Sequence, residues 1–581
     1  MKAIKILIED RNYISWKFCY PDTNIAVTEQ EVPELKIINP TELKLFSRDI
    51  FVIEDSKIRI TKSFLKNSTT IAGVLQLENN KTFGRSENKK RLLYKCIPDD
   101  KHIPVFLVPY DVKLGFSKVQ KNKFVIFRYD NWVDKHPHGT LLETLGDVDS
   151  LEVFYEYQLY CKSLYHSITE FTKKTREELN KRTNEDFLEQ IYKNKDFNIE
   201  DRRSDYVFTI DPQNSSDYDD GFSIKKLPNN TWQVTVYIAN VYFWMETLGL
   251  WKSFSKRVST IYLPDRRRPM LPTILSDSLC SLQENQSRFA LAMDFIVSED
   301  GVILNVNDIV YKNVLMNTKK NYTYEDPKMI AKDTHYNDLY KLSILMDNTI
   351  NDSHDVVAHW MVLMNMHTGL KMMNDKIGIF RSARYLNVKL SLHEDVSLDQ
   401  DSIRVIRTWN NISGQYIIYN EDVDIISHDI MNLKSYIHFT SPIRRLVDLL
   451  NQMIFMEHNS LVQNVSQDAK EFLNNWIEQL DYLNTSMRSI RKIQTDCNVL
   501  NKCYNNPEIM ETPYMGVVFD KILKNDGLFS YMVYLKSLKL LSRITTTLDV
   551  EDYTTHEFKI FLFEDEEKCK KKIRLQIKNG Q

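Results

Sequence analysis

Thr209-Ile-Asp-Pro-Gln-Asn-Ser-Ser-Asp-Tyr-Asp-Asp220 gathers four carboxylates, Asp211, Asp217, Asp219 and Asp220, into one short stretch. Val207 to Ile210 are apolar or β-branched and read as a buried strand ending at Asp211. Pro212 stops that strand, and Gln-Asn-Ser-Ser continues as a polar loop. If Asp217 to Asp220 run extended, Asp217 and Asp219 share a face and Asp220 reaches in through a bend. Carboxylates this close repel one another, so either some are protonated or a divalent cation neutralises them. Oxygen-only ligands suit a hard ion, Mg²⁺ or Mn²⁺ before Zn²⁺.

Three plainer readings compete. A solvated acidic loop would sit among further charge, whereas apolar strand patterns bracket this one. An EF-hand loop would begin like Asp217, Asp219 and Gly221, but the glycine comes one position early and Pro228 stands where a glutamate is needed. An acid-rich helix start is broken by Pro212 and the Ser215-Ser216 pair.

The pattern Thr-Ile-Asp-Pro-x₄-Asp-x-Asp-Asp resembles the signature of the ribonuclease II/RNase R catalytic domain, the RNB family. Val258-Ser-Thr-Ile-Tyr-Leu-Pro-Asp265, Pro269-Met-Leu-Pro272 and Leu275-Ser-Asp-Ser-Leu-Cys-Ser-Leu282 follow at that family's spacing, and His438-Phe-Thr-Ser-Pro-Ile-Arg-Arg445 resembles its second hallmark. The resemblance covers roughly residues 200 to 455. It implies a hydrolytic 3′→5′ exoribonuclease that admits single-stranded RNA and releases 5′-mononucleotides by two-metal displacement. Asp211, Asp217, Asp219 and Asp220 would then hold Mg²⁺, and Arg444 would meet the scissile phosphate. Tyr262 would contact the RNA near its 3′ end, Tyr324 would stack on the terminal nucleotide, and Arg445 joins the RNA-binding set. Without the resemblance, Tyr262 reads equally as a strand-core tyrosine and Tyr324 as a surface residue before a helix. The family's usual Val-His-Ile-Ala-Asp-Val stands here as Val236-Tyr-Ile-Ala-Asn-Val241, a departure next to the acidic stretch. Members of the family that have lost the acids and only bind RNA are the alternative. A DNA nuclease would share the metal chemistry.

Thr440-Ser-Pro-Ile-Arg-Arg445 carries its own physics. Thr440 or Ser441 can cap a helix whose first turn accepts Pro442. Arg444 and Arg445 would then stand at the positive end of the helix dipole and need an anionic partner. Asp448 is one candidate and a phosphate is the other.

The remaining sequence frames an α+β multidomain chain of 581 residues. Residues 1–65 read as a reduced β domain, 66–150 as a second, cold-shock-like OB barrel, and 151–200 as a helical connector. Residues 201–505 read as the catalytic domain, a mixed sheet with surrounding helices, and 510–581 as an S1-like OB barrel. In the first hairpin of that second barrel Phe83-Gly-Arg85 and Lys89, Lys90 and Arg91 interleave aromatic and basic groups, which suits single-stranded nucleic acid or a plain solvated hairpin. That segment and His136-Pro-His-Gly-Thr resemble the eukaryotic exosome-type branch. The chain starts too late for that branch's N-terminal endonuclease domain, so a monomer without a stable place on an exosome core is expected. Residues 353–373 read as one core helix, and its His354, His359 and His367 lack the spacing of a helical metal pair.

With 76 basic against 79 acidic side chains the net charge is −3, which suits a nucleic-acid enzyme only if cations line an internal channel and acids cover the outside. Seven cysteines without a Cys-x-x-Cys pair point to a reducing compartment, cytoplasm or nucleus. No apolar run is long enough for a membrane span. Scarce glycine amid abundant Asn, Lys and Ile fits an AT-rich genome, that of a large DNA virus or a protist.

Overall fold

The structure is a computed structural model that describes residues 3–578, except 55–56, 79, 87–90, 112–119, 385–397, 410–413, 422–425, 525 and 566–568. Lys89 and Lys90 therefore lie outside the described residues.

The chain begins with a four-stranded antiparallel sheet: β1 (Ile4–Ile8), β2 (Trp16–Cys19), β3 (Ile50–Glu54) and β4 (Lys57–Lys62), in the order β2-β1-β3-β4. Alternate residues Ile4, Ile6 and Ile8 turn inward, as a one-sided strand requires. Next, β5 (Ile71–Leu75), β6 (Leu92–Pro98), β7 (Phe106–Tyr110), β8 (Lys123–Asn131) and β9 (His138–Asp147) close into a five-stranded barrel. Gly73 permits that closure, because a Cβ there would lie 2.9 Å from both Cys96 Sγ and the Ile97 carbonyl. The sheet and the barrel share one core, with Phe46 packed on Phe106 and Trp132.

Three helices follow: α1 (Leu151–Cys161), α2 (Thr169–Leu179) and α3 (Asn184–Lys193). Ser150 caps α1, and Thr183 with Asp186 forms a capping box on α3. Tyr157 of α1 stacks on Phe124 of the barrel at 4.1 Å, which fixes the barrel to the rest of the molecule.

The central sheet consists of β10 (Ile199–Asp201), β11 (Val207–Asp211), β12 (Asp220–Lys226), β13 (Trp232–Ala239), β16 (Ser287–Val297) and β17 (Val310–Thr323). Their order is β10-β17-β11-β12-β13-β16, and β16 pairs back onto β17, so the sheet curls round on itself. β17 runs parallel to β10 and β11, and the other pairings are antiparallel. Sequence alternation suggests a strand over Trp232–Val241. It ends at Ala239, because Asn240 accepts the Phe243 amide and caps α4 (Val241–Thr247). A small hairpin, β14 (Ile261–Tyr262) with β15 (Arg267–Arg268), stands beside the sheet.

Helices α5 (Pro327–Lys332), α6 (Thr334–Met346) and α7 (Ser353–Asn374) come next, then β18 (Ile379–Ser382), α8 (Gln400–Trp409) and β19 (Gln415–Ile418). The helix read over 353–373 is observed as α7, with Trp360, Met364 and Met372 buried, but His354 is exposed rather than part of the core. Helices α9 (Leu446–His458), α10 (Gln467–Glu478) and α11 (Leu480–Asn505) close the central body. The C-terminal unit is a five-stranded sheet of β20 (Tyr514–Leu523), β21 (Phe529–Leu535), β22 (Leu540–Thr546), β23 (Thr555–Asp565) and β24 (Lys570–Ile577), in the order β22-β21-β20-β23-β24. No helix among the described residues is long and apolar enough to cross a membrane, and all seven cysteines are free thiols.

Candidate active site

Asp211 ends β11 and Asp220 begins β12, so the two antiparallel strands bring both ends of the acidic stretch together. The intervening loop is laced to a distant motif. The Tyr218 amide donates to Ser281 Oγ at 3.0 Å, and that hydroxyl donates to the Ser216 carbonyl at 2.8 Å. The Leu282 amide donates to the Tyr218 carbonyl at 3.0 Å, and the Ala239 amide to that of Asp219 at 2.8 Å. The Leu275–Leu282 segment thus sets the shape of the acidic loop.

The four carboxylates divide in two. Asp217 accepts from the Tyr262 hydroxyl at 3.0 Å and from Arg267 Nη1 at 2.8 Å, while Arg267 also pairs with Asp277. Asp219 accepts from the Ile443 amide and from Arg444 Nε, both at 2.9 Å. Asp211 and Asp220 each keep one buried oxygen without a protein partner. Among the described residues no three His, Cys, Asp or Glu side chains converge as a metal cage, so the four acids expected as joint ligands stand as one open pair and two ion-paired neighbours.

Their charge is strained by burial. Asp211 is pushed well above the carboxylate range by desolvation and then by repulsion from Asp220. Burial raises Asp219 to about 7 against the opposing pull of Arg444, and Asp220 to about 6 against Arg444 and Arg445. Full ionisation at neutral pH therefore calls for added positive charge. The unpartnered hard oxygens of Asp211 and Asp220 fit a divalent cation of the Mg²⁺ or Mn²⁺ type.

The arginine segment departs from the helix start expected at Pro442. Ser441 to Arg444 form a turn, with the Arg444 and Arg445 amides both donating to the Ser441 carbonyl at 3.2 and 2.9 Å. Helix α9 begins only at Leu446, with Arg445 as its extended N-cap. The turn sends the two guanidinium groups apart. Arg445 pairs with Asp448 at 2.9 Å, and Arg444 pairs with Asp219. The Arg444–Asp448 pairing considered from sequence is therefore replaced by a link to the acidic stretch. Ser259 Oγ and the Thr260 amide hold the Arg444 carbonyl at 2.8 and 2.9 Å, which joins the Val258–Asp265 motif to the arginine segment.

Two tyrosines flank the acids. Tyr262, 39% exposed, bonds Asp217 through its hydroxyl and donates its amide to Gln494 of α11 at 2.9 Å. The Tyr324 amide donates to the Asp211 carbonyl at 3.1 Å, and its ring lies parallel to His354 at 3.5 Å. Arg445 is half-buried and bonded to Asp448 and Ser441, so it supports the arginine turn. Tyr237, in place of the family's usual histidine, bonds Asp205 and Ser223, and Asn240 bonds Phe243 and Asn313. Neither of these two side chains is bonded to the four acids. Sequence reading missed Arg267, Ser281, His354 and Gln494. Ser281 lies inside a motif that reading had marked, but His354 and Gln494 meet the site only through folding.

Residues 199–346 match the RNB domain. Ribonuclease R of Thermotoga maritima is 28% identical over 42% of this chain and 34% of its own length. The DIS3-like exonuclease 2 of Schizosaccharomyces pombe is 26% identical over 43% of this chain and 29% of its own length. The matched part is thus about a third of these relatives. Among solved structures, Mycoplasma genitalium RNase R in complex with ribose-methylated single-stranded RNA superposes with a TM-score of 0.67 at 15% identity, covering 99% of this chain and 100% of that one. Yeast Ssd1, a pseudonuclease, superposes with a TM-score of 0.58 at 12% identity, covering 96% and 80%. The chain carries an RNB domain, related in sequence to those of RNase R and DIS3-type exonucleases, within an RNase R-like multidomain fold.

Proposed function

We propose that this chain is a Mg²⁺-dependent 3′→5′ exoribonuclease that hydrolyses single-stranded RNA to 5′-mononucleotides. The observation that carries the reading is the buried Asp211–Asp220 pair with its unpartnered oxygens, set against Asp219 and the half-exposed Arg444. Divalent cations held by Asp211 and Asp220, with Asp217 and Asp219 as further ligands, would supply an activated water and stabilise the leaving 3′ oxygen. Arg444 exchanges Asp219 for the scissile phosphate and neutralises charge growing on it. Tyr324, backed by His354, offers a flat face to the terminal base, and Tyr262 meets the strand on the Asp217 side. Arg445 shapes the turn that presents Arg444 and adds positive potential for the RNA backbone. The protein acts as an intracellular monomer.

A second reading is supported by the ion pairs on Asp217 and Asp219 and by a pseudonuclease of the same fold: an RNA-binding regulator with impaired hydrolysis. One experiment separates them. A 5′-labelled single-stranded RNA and a DNA of the same sequence are incubated with Mg²⁺ and sized over time. Stepwise shortening of the RNA from its 3′ end, with the DNA bound but scarcely cut, is expected, since the 2′-hydroxyl is what tells the two apart. Binding without shortening favours the regulator, and equal cutting of both favours a general nuclease.

A further inference from the structure

Asp217 is engaged on both oxygens. Its Oδ1 accepts from Arg267 Nη1 at 2.8 Å, and its Oδ2 accepts from the Tyr262 hydroxyl at 3.0 Å. Asp211 and Asp220 each keep a buried oxygen without a protein partner, so the acidic stretch has an open part and a filled part. The filling at Asp217 comes from one short hairpin. Tyr262 on β14 and Arg267 on β15 are directly opposite partners, which sets both side chains on one face. Alternation turns the flanking Arg266 and Arg268 the other way, where Asp265 and Glu156 hold them. Of these three consecutive arginines, Arg267 is the one paired with a member of the acidic stretch.

Arg267 is also anchored from behind. Its Nη2 pairs with Asp277, whose other oxygen accepts from the Ser276 hydroxyl. The guanidinium is therefore shared by two carboxylates, and letting go of Asp217 would not leave it unpaired. Nor does the loop depend on Arg267 for its shape. Ser281 holds the Tyr218 amide and the Ser216 carbonyl, which belong to the residues on either side of Asp217. With the backbone fixed on both sides, what the ion pair adds at Asp217 is charge. A guanidinium on a carboxylate opposes a further cation on the same group, by repulsion and by the lone pair it occupies.

We infer that Arg267 is a positioning residue that withholds Asp217 from the cation site, so that without RNA the protein takes a divalent ion on the open Asp211–Asp220 pair alone. Loading is thereby ordered: the open pair fills first, and Asp217 becomes a ligand only when Arg267 falls back on Asp277. The inference rests on the metal-dependent reading above and adds a residue that controls it. The plainer role for Arg267 is a cross-link between the hairpin and the Ser276-Asp277 segment.

The test counts ions rather than turnover. Full-length protein without RNA is titrated with Mn²⁺, and free Mn²⁺ is read from its electron paramagnetic resonance signal. Wild type should take up about one ion per chain. Arg267→Gln should take up a second, or bind the first about tenfold more tightly, because a like charge has left the site. Arg267→Lys keeps the charge and should stay at the wild-type count. Arg267→Gln/Asp217→Asn should return to that count, which locates the gain on Asp217. If Arg267→Gln strands Asp277 and fails to fold, Arg267→Gln/Asp277→Asn takes its place and should show the same gain. An unchanged count and affinity in a folded variant without Arg267, with only the melting temperature lowered, makes the residue a cross-link and overturns the inference. So does a gain in Arg267→Lys, a gain that persists without Asp217, or a second ion on the wild-type protein. A wild type that takes up no Mn²⁺ overturns the metal-dependent reading and the inference together.

Discussion

Arg444 Nε lies 2.9 Å from Asp219 Oδ2, and the partners differ sharply in exposure: the arginine side chain is 44% exposed, the carboxylate 1%. The pair links the acidic stretch to a turn more than two hundred residues away in sequence. It also leaves the outer face of the guanidinium open to an incoming anion.

For Arg444→Ala this predicts a loss of stability as well as of turnover. A helix-start arginine without a partner would leave the melting temperature unchanged or raise it. The observed pair means that its removal strands a buried acceptor, at a cost of about 1–3 kcal/mol. Protonation of Asp219, already raised to about 7, softens that loss. Single-turnover decay should slow by about two to three decades. Melting curves and decay rates read together check this, and an unchanged rate per folded molecule would show that Arg444 does not meet the phosphate.

Asp220→Asn should abolish hydrolysis while RNA affinity stays near wild type. The amide keeps the shape but removes one member of the open pair, and most of the binding comes from stacking and backbone contacts elsewhere. Filter binding beside product sizing makes the comparison. Parallel loss of binding and cleavage would place Asp220 in a structural role.

The raised carboxyl groups predict how pH and metal act on stability. Asp219 and Asp220 titrate near 7 and 6 in the folded chain, against about 3.9 when unfolded. The fold therefore favours their protonated forms. Their contribution is fully present below about pH 4 and is lost as pH rises through 6 and 7. Mg²⁺ should restore stability, with a larger melting shift at pH 8 than at pH 6. Thermal melts in EDTA and in Mg²⁺ test this for wild type and Asp211→Asn/Asp220→Asn. The double variant should show a flatter pH profile and little response to Mg²⁺, and an equal response in both proteins would count against a cation on this pair.

Ser281→Ala should loosen the acidic loop without touching any acid. The hydroxyl both accepts the Tyr218 amide and donates to the Ser216 carbonyl, so its loss costs about 1–3 kcal/mol and frees the loop between Asp211 and Asp219. Turnover should fall by roughly tenfold with RNA affinity little changed, since a misplaced group costs rate before it costs binding. Recovery with Ser281→Thr, which keeps the hydroxyl, would separate positioning from a general packing effect.

The sequence by itself determined the local elements and the chemistry they offer. Apolar alternation ending at Asp211, the proline after it and the crowded acids were sufficient to place a strand, a loop and an anionic site, because these depend on neighbours in the chain. A barrel ahead of the catalytic segment and the helix α7 were legible for the same reason. Partnership was not legible. Which arginine meets which acid depends on the turn from Ser441 to Arg444, and that turn is held by Ser259 and Thr260, which lie far off in sequence. The division of the four carboxylates into an open pair and two ion-paired acids arises because Arg267 and Arg444 arrive from separate elements. Nine lysines and arginines that line one open cleft beside α11 and β24 were hidden in a net charge of −3, since they share a surface only after these elements come together. Coulomb and hydrogen-bond energies depend on distances between groups, and for residues this far apart in the chain only the tertiary fold sets those distances.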